Sequence, residues 1–356
     1  MSDPDSLPWY RHALVSFEPV WLVPRSLLLG TFGAVLFQLL GLPIPWLTGA
    51  LLFSACANLS GIPIGFPNIF GTVLLSLLGI TMGTGITPDA FQAITQWPVS
   101  AIGLIITVVC ITYGGSLFFQ KVAKWDRPTA FMASLPGAMA YVAALVESTR
   151  ADQKKVIIAQ ALRVFFLVFL LPPILLLDQG SAMPDRGGGY GFMSLQEIAI
   201  IGLLTMALGW GMTRLRIPAA HITAGLIVCG AANLADLVHG GLPTILQDAI
   251  YVAFGCFIGS RFMGSGWRSV YETLAPAIAS IILMSTISFT AAFLISLMID
   301  ISLGAIMLAF VPGGLEAMII ISLALDLDPV YVTAHHLLRM LLLIFTMPLF
   351  VRFMKL

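Results

Sequence analysis

The sequence predicts an all-α transmembrane fold made of two inverted repeats, each with about five spanning helices and one helix interrupted by Pro-Gly. Three observations predict it. Apolar runs long enough to cross a bilayer recur along the chain, one set of Pro, Gly, Asp and Arg positions returns at a fixed offset, and lysine and arginine gather on one side of the implied topology.

Composition comes first. Of 356 residues, 59% are hydrophobic and 10% charged, whereas soluble domains carry about 25% charged residues, so water is not the main solvent. Segments 99–119, 156–177 and 278–299 are mostly apolar or small residues and carry no charge apart from Arg163, at the length of about twenty that a bilayer core requires. The first twenty residues, with Asp3, Asp5 and several prolines, lack the basic start, apolar stretch and cleavage site of a secretory signal. The mature chain is therefore expected to be the full chain. Formal net charge is zero, which leaves no electrostatic footprint for nucleic acid. Cys56, Cys110, Cys229 and Cys256 all sit inside apolar runs without a CxxC or Cys/His cluster, and read as small buried hydrophobes.

The first copy reads as apolar segments 26–42, 45–60, 68–87, 97–120, 128–147 and 155–178, and the second as 196–213, 218–236, 244–262, 272–299, 303–325 and 330–351. This divides the chain into a cytoplasmic N-terminal segment 1–25, membrane repeat 26–178, an external linker 179–195 and membrane repeat 196–356. The repeat rests on Leu135-Pro136-Gly137-Ala138 returning as Val311-Pro312-Gly313-Gly314, with 312 − 136 = 176. At the same offset Asp152 meets Asp328, Gln160 meets His336, Arg163 meets Arg339 and Pro172 meets Pro348. Gly79 and Gly83 meet Gly255 and Gly259 at 176, while Pro43, Thr48, Asn58 and Leu59 meet Pro218, Thr223, Asn233 and Leu234 at 175. Matches at Pro, Gly, Arg and Asp indicate duplication, because these residues do not interchange as aliphatics do.

The fifth segment of each copy is broken at its middle by Pro136 or Pro312 followed by glycine, which removes a backbone donor and frees the chain to turn. Treated as a hairpin that enters and leaves by one side, it places Arg25, Lys121, Lys124, Arg127, Arg150, Lys154, Lys155, Arg214, Arg216, Arg268, Arg352 and Lys355 on one face. The other face receives Asp89, Asp178, Asp185, Asp236, Asp300, Asp326 and Asp328, with Arg186 its only lysine or arginine. Basic loops belong to the cytoplasm, so both termini are expected there. An odd number of crossings then inverts the second copy, the plan of secondary transporters with paired interrupted helices. The alternative is that the broken segment crosses as two half-helices, which would largely erase the charge bias.

Arg163 and Arg339 lie about nine residues inside their helices, roughly 13 Å deep at 1.5 Å per residue. A charge at that depth needs a partner. Two readings stand: a guanidinium fork for an anionic substrate group, or a structural arginine on carbonyls freed at the Pro-Gly turn. Gln160 and His336, three residues earlier, share the arginines' helix face and extend the polar site. His336 suits proton coupling, or else is a buried neutral imidazole. The adjacent His335 points elsewhere, so the two do not chelate and no metal site is expected. Glu316, where the first copy has Ala140, could bind Na⁺ or H⁺, or pair with Arg339. With Arg163 and Arg339 it leaves one net positive charge inside, favouring an anion. Gly137, Gly313 and Gly314 would admit a substrate to the backbone near half-helix N-termini, or serve close packing. Gly79, Gly83, Gly85, Gly255 and Gly259 read as packing stripes. Thr81, Thr84 and Ser260 offer hydroxyls, and Asn58 and Asn233 read as caps or packing at helix ends.

Segments 45–51 (Pro-Trp-Leu-Thr-Gly-Ala-Leu), 135–138, 151–152 and 161–163, then Val-Pro-Gly-Gly-Leu-Glu (311–316) and His-His-Leu-Leu-Arg (335–339), together resemble the bacterial AbrB family of membrane proteins, sometimes labelled ammonia monooxygenase. The resemblance spans nearly the whole chain from about residue 26. The departure is Ala138 where the second copy has Gly314. The family labels imply gene regulation or ammonia oxidation, but an oxygenase needs copper or iron and no His/Asp/Glu cluster is spaced to hold either. The duplicated interrupted-helix plan is also similar to sodium/proton antiporters and bile-acid-type symporters. These readings together give a non-enzymatic, cofactor-free secondary transporter of the bacterial inner (plasma) membrane. It moves a small organic anion coupled to H⁺ or Na⁺ by alternating access, and a homodimer is compatible with it. The alternative is a membrane-embedded, ligand-binding regulator of gene expression, weakened by the lack of a cytoplasmic domain.

Overall fold

The computed structural model describes residues 22–84, 97–136, 142, 146, 149–178, 192–215, 217, 219–238 and 240–354, and among them the regular elements are helices. In chain order these are α1 (Leu22–Leu39), α2 (Pro45–Leu59), α3 (Asn68–Gly83), α4 (Trp97–Lys121), α5 (Arg127–Ser134), α6 (Gln153–Asp178) and α7 (Leu195–Arg214). Then follow α8 (Ala220–Leu234), α9 (Thr244–Gly259) with a 3-10 turn (Ser260–Phe262), α10 (Trp267–Ser296), α11 (Leu303–Phe310), α12 (Leu315–Ala324) and α13 (Pro329–Met354). Gly137, Gly85, Asp89, Asp185, Arg186, Arg216, Pro218, Lys355 and most of segments 1–25 and 179–195 lie outside the described residues.

Among the described residues six helical stretches are long and apolar enough to cross a membrane: Leu22–Leu39, Trp97–Lys121, Gln153–Leu176, Leu195–Arg214, Thr244–Phe262 and Trp267–Ser296. Their outer faces carry Leu28, Phe32, Val109, Leu203, Ile282 and Phe293 in exposed positions. So much exposed apolar surface is a liability in water and ordinary in lipid. Helices α2, α3 and α8 have 15 or 16 residues, roughly 22–24 Å at 1.5 Å per residue, short of the hydrocarbon core of about 30 Å. The ten crossings expected from sequence need these three shorter helices and α13 to cross as well.

Local chemistry sets the boundaries, and it repeats. Helix α2 starts at a proline after Ile44 at φ 47, and α8 starts after Ala219 at φ 50, so the same left-handed residue precedes both. Asp126 caps α5 by accepting from Thr129 N, and Ser302 caps α11 by accepting from Ala305 N. The matched aspartates are helix caps too. Asp152 accepts from Lys155 N at 3.1 Å and Asp328 from Tyr331 N at 3.0 Å, each in the first turn of its long helix. Equivalent helices beginning at Asn68 and Thr244, Arg127 and Leu303, and Gln153 and Pro329 are all 176 residues apart.

The helices pack mainly in two groups: α1, α2, α3, α7, α8 and α9 in one, and α4, α5, α6, α10, α11, α12 and α13 in the other. The first group is held by exchange between copies, with α2 against α9 and α3 against α8. Glycine makes these crossings close. A methyl on Gly79 would collide with the Ile222 carbonyl, and one on Gly255 would stand 2.5 Å from the Leu47 carbonyl oxygen. Gly83 faces Cys229 and Gly230, while Gly259 faces Ser54 and Ala55, the same contact with the copies interchanged. Asn58 Nδ2 donates to Gly259 O and Asn233 Nδ2 to Thr84 O, each at 3.2 Å. In lipid, where apolar burial gives helices little reason to associate, such backbone approach and buried amide bonds hold them together.

Two of the four cysteines depart from expectation. Cys229 and Cys256 are buried, with Cys256 Sγ donating to Ser26 O at 3.2 Å, but Cys56 and Cys110 are exposed on the outer face. A residue in an apolar run is as readily lipid-facing as interior, because helices here are apolar all round.

Candidate functional site

Both copies end a short helix in an extended residue ahead of the proline. Helix α5 stops at Leu135 (φ −61, ψ 121) and α11 at Val311 (φ −61, ψ 141). The last carbonyls of such a helix have no partner within it and carry the negative end of its dipole. The long helix that follows in each copy supplies the missing donors.

In the first copy, Gln160 Nε2 on α6 donates to Met132 O at 3.1 Å. Arg163 Nη2 donates to Leu135 O at 3.0 Å and Nη1 to Ala133 O at 3.4 Å. In the second copy, His336 Nε2 on α13 donates to Leu308 O at 2.9 Å, while Arg339 Nη1 donates to Val311 O at 2.7 Å and Nη2 to Gly313 O at 3.0 Å. Met132 and Leu308, and likewise Leu135 and Val311, are equivalent at the offset of 176. The reading of a structural arginine on freed carbonyls is therefore what the geometry displays. It leaves Arg163 Nε, Arg339 Nε and Gln160 Oε1 buried without a hydrogen-bond partner.

The copies differ in the arginine's second carbonyl, Ala133 O against Gly313 O, and in one side-chain contact. Arg339 Nη2 lies 2.6 Å from His336 Nδ1. Since Leu308 O can only accept, the imidazole hydrogen belongs on Nε2, and Nδ1 accepts from the guanidinium. Protonating His336 here would set two cations edge to edge and remove the acceptor. The arrangement fits a neutral histidine that orients Arg339.

Arg163 and Arg339 are 4% and 2% exposed, and among the described residues no Asp or Glu is buried with them or ion-paired to either. The ion pair expected between Glu316 and Arg339 is absent. Glu316 is half-buried in the first turn of α12 with no hydrogen bond or ion pair among the described residues. Its Oε2 lies 3.6 Å from where a Cβ on Gly314 would stand. The reason is geometric: both terminal nitrogens of Arg339 are occupied, and a carboxylate is favoured at the positive N-terminus of α12.

The glycines separate as well. A side chain on Gly313 would press on the flexible Met318 side chain, with Sδ at 2.9 Å. Gly314 has only ordinary contacts, with Val164 at 3.7 Å and Glu316 at 3.6 Å, which brings the second break beside the neighbour of Arg163 on α6. The hydroxyls considered as ligands bond to their own helices: Thr81 to Leu77 O, Thr84 to Thr81 O and Ser260 to Phe257 O. Among the described residues no group of three His, Cys, Asp or Glu side chains is placed to hold a metal. Sequence reasoning missed Ser100 and Trp97, which surround His335; the only signal was a tryptophan at the start of a helix.

Comparison with known proteins follows the same lines. A family described as "Transition state regulatory protein AbrB" matches residues 46–355. An uncharacterized Bacillus subtilis protein, YhjN, is 23% identical over 94% of this chain and 92% of its own length. A proposed regulator from Escherichia coli, also called AbrB, is 23% identical over 90% of this chain and 92% of its own. No solved structure matches.

Proposed function

From the premise that this chain belongs to the AbrB family of helical, membrane-type proteins, we propose that it is a secondary transporter of a small organic anion, coupled to H⁺ or Na⁺. One observation carries the reading: two guanidiniums lie fully buried in an apolar bundle with no acidic partner among the described residues. Carbonyl bonds satisfy only some of their hydrogens and do not neutralise their charge. The two helix C-termini offset about one charge between them and an ionised Glu316 about one more, so about one positive charge is left once Glu316 holds a cation. An anion arriving between the breaks completes the balance, at the unpartnered Arg163 Nε and Arg339 Nε and at the open backbone of Gly314. Arg163 and Arg339 then hold the broken segments in place and supply the field. Glu316, unpaired and beside the same backbone, is the group that answers a coupling cation.

The repeat supports alternating access. If the broken segments re-enter, the two copies (26–178 and 196–356) are inverted, both termini are cytoplasmic and the protein sits in the bacterial inner membrane. The two packing groups of helices are then the bodies that rock past one another around the site.

The test is uptake into proteoliposomes of a panel of carboxylates and sulfonates under an imposed proton or sodium gradient. Gradient-driven flux of a panel member, abolished in both Arg339→Ala and Glu316→Ala, is expected. Binding of a panel anion without flux under either gradient would overturn transport.

A further inference from the structure

His335 has played no part so far, yet it is the centre of a second buried polar group. It is 2% exposed and reaches α4 through Ser100 and α11 through Phe310. Its Nδ1 lies 2.9 Å from Tyr331 O, which can only accept, so Nδ1 carries the hydrogen. Its Nε2 lies 2.8 Å from Ser100 Oγ on α4. In the neutral ring that nitrogen is a lone pair, and the Ser100 hydroxyl donates to it. The same hydroxyl has a second acceptor, Trp97 O, at 3.0 Å.

We propose that His335 is a proton-binding site, taking a proton on Nε2 as the Ser100 hydroxyl turns its hydrogen from Nε2 to the Trp97 carbonyl. The balance is complete. One N–H bond forms on the lone pair with a proton delivered from hydronium, whose O–H bond breaks to leave water, and the Ser100 oxygen changes from donor to acceptor towards the ring. Both states keep two hydrogen bonds to the imidazole without moving a heavy atom, which is what a buried group needs if it is to change charge.

The surroundings suit a cation that comes and goes. Phe310 stacks at 6.3 Å, Tyr331 lies against the ring at 4.1 Å and Trp97 closes a third side at 6.1 Å, and aromatic faces attract positive charge. On its own helix the charged neighbours are Asp328, seven residues earlier on the same face, and Arg339, four residues later, with neutral His336 between. Helix α4 has no charged residue before Lys121, α11 and α3 have none, and α12 has only Glu316. Asp328, Tyr331 and His335 fall at i, i+3 and i+7, leading from the half-buried cap of α13 inwards, and the Trp97 indole N–H is buried without a partner along it. The neighbouring His336 lacks all of this, because its Nδ1 is taken by Arg339. That the bound proton is the coupling ion rests on the transport reading; that His335 binds it does not.

The experiment is nitrogen-15 NMR of the full chain, histidine-labelled, in lipid nanodiscs between pH 8 and pH 4, with no substrate and no gradient. The five histidines are assigned with His335→Gln and His336→Gln. At pH 8 His335 should show the Nδ1–H tautomer and His336 the Nε2–H tautomer. On acidification His335 should become imidazolium while His336 stays neutral. Ser100→Ala removes a bond worth more to the charged ring than to the neutral one, so the His335 midpoint should fall by about one pH unit. A His335 that stays neutral to pH 4, a titration belonging to His336, or a midpoint indifferent to Ser100→Ala would each overturn the proposal. If a glutamine variant fails to fold, the opposite tautomers of the adjacent histidines in the unaltered chain decide alone. Titration without gradient-driven flux sinks transport and leaves the proton site standing; flux without titration does the reverse.

Discussion

Arg163→Met and Arg339→Met make a matched pair, because each removes a fully buried guanidinium of the same depth and leaves a side chain of similar length. The cost of burying the charge is relieved equally in both and cancels in the comparison. What differs is the set of bonds lost. Arg339 gives up contacts of 2.7 Å to Val311 O, 3.0 Å to Gly313 O and 2.6 Å to His336 Nδ1. Arg163 gives up one of 3.0 Å to Leu135 O and a long one of 3.4 Å to Ala133 O. Hydrogen bonds to a charged group contribute about 1.5–3 kcal/mol each, so Arg339→Met should be the more destabilising by about 2–4 kcal/mol. Unfolding in mixed micelles by titrated SDS, followed by tryptophan fluorescence, measures the difference. Adding His336→Leu to Arg339→Met should recover part of the loss, since the stranded imidazole acceptor goes with it, giving a coupling of about 1–3 kcal/mol. If Arg163→Met costs as much as Arg339→Met, or the double variant shows no coupling, the carbonyl clamp is not what these arginines do.

Two further outcomes follow from packing and topology. Gly255→Ala places a methyl 2.5 Å from the Leu47 carbonyl oxygen and should lower stability by at least about 2 kcal/mol, as should its counterpart Gly79→Ala. Gly202→Ala meets nothing within 4 Å and should be neutral or slightly stabilising; equal effects in the same unfolding assay would contradict the close crossings. A topology reporter fused after Thr149 should read the cytoplasm if the broken segment re-enters, and an external reading would end the inverted-repeat proposal.

The sequence made helices easy to find and their orientation hard. Apolar runs placed segment 97–120 against the observed Trp97–Lys121 and 155–178 against Gln153–Asp178, because length and lack of charge are enough in lipid. The stop of α5 and α11 ahead of proline was legible for the same local reason. The donors' targets were not, because Gln160, Arg163, His336 and Arg339 each reach a carbonyl made by an earlier helix, as Arg163 reaches Leu135 28 residues back. The pairing of Glu316 with Arg339, one of its two readings, is not made because both terminal nitrogens of Arg339 already bond to carbonyls, which charge arithmetic ignores. Ser100 and His335 are 235 residues apart and Asn58 and Gly259 201; no periodicity reports contacts of that range. The exposed Cys56 and Cys110 failed for another reason, as an all-apolar helix carries no stripe that says which side faces lipid.

The exchange of α2 and α3 for α9 and α8 also fixes when the molecule can be finished. Leu47 meets Gly255 only after some 200 further residues have been made, which at ribosomal rates of 5–20 residues per second is roughly 10–40 s. Throughout that interval the first copy sits in the bilayer with its glycine grooves open and its amide of Asn58 lacking the Gly259 carbonyl. The first half is thus built to wait for the second, and the insertion machinery must keep it from closing on another copy of itself.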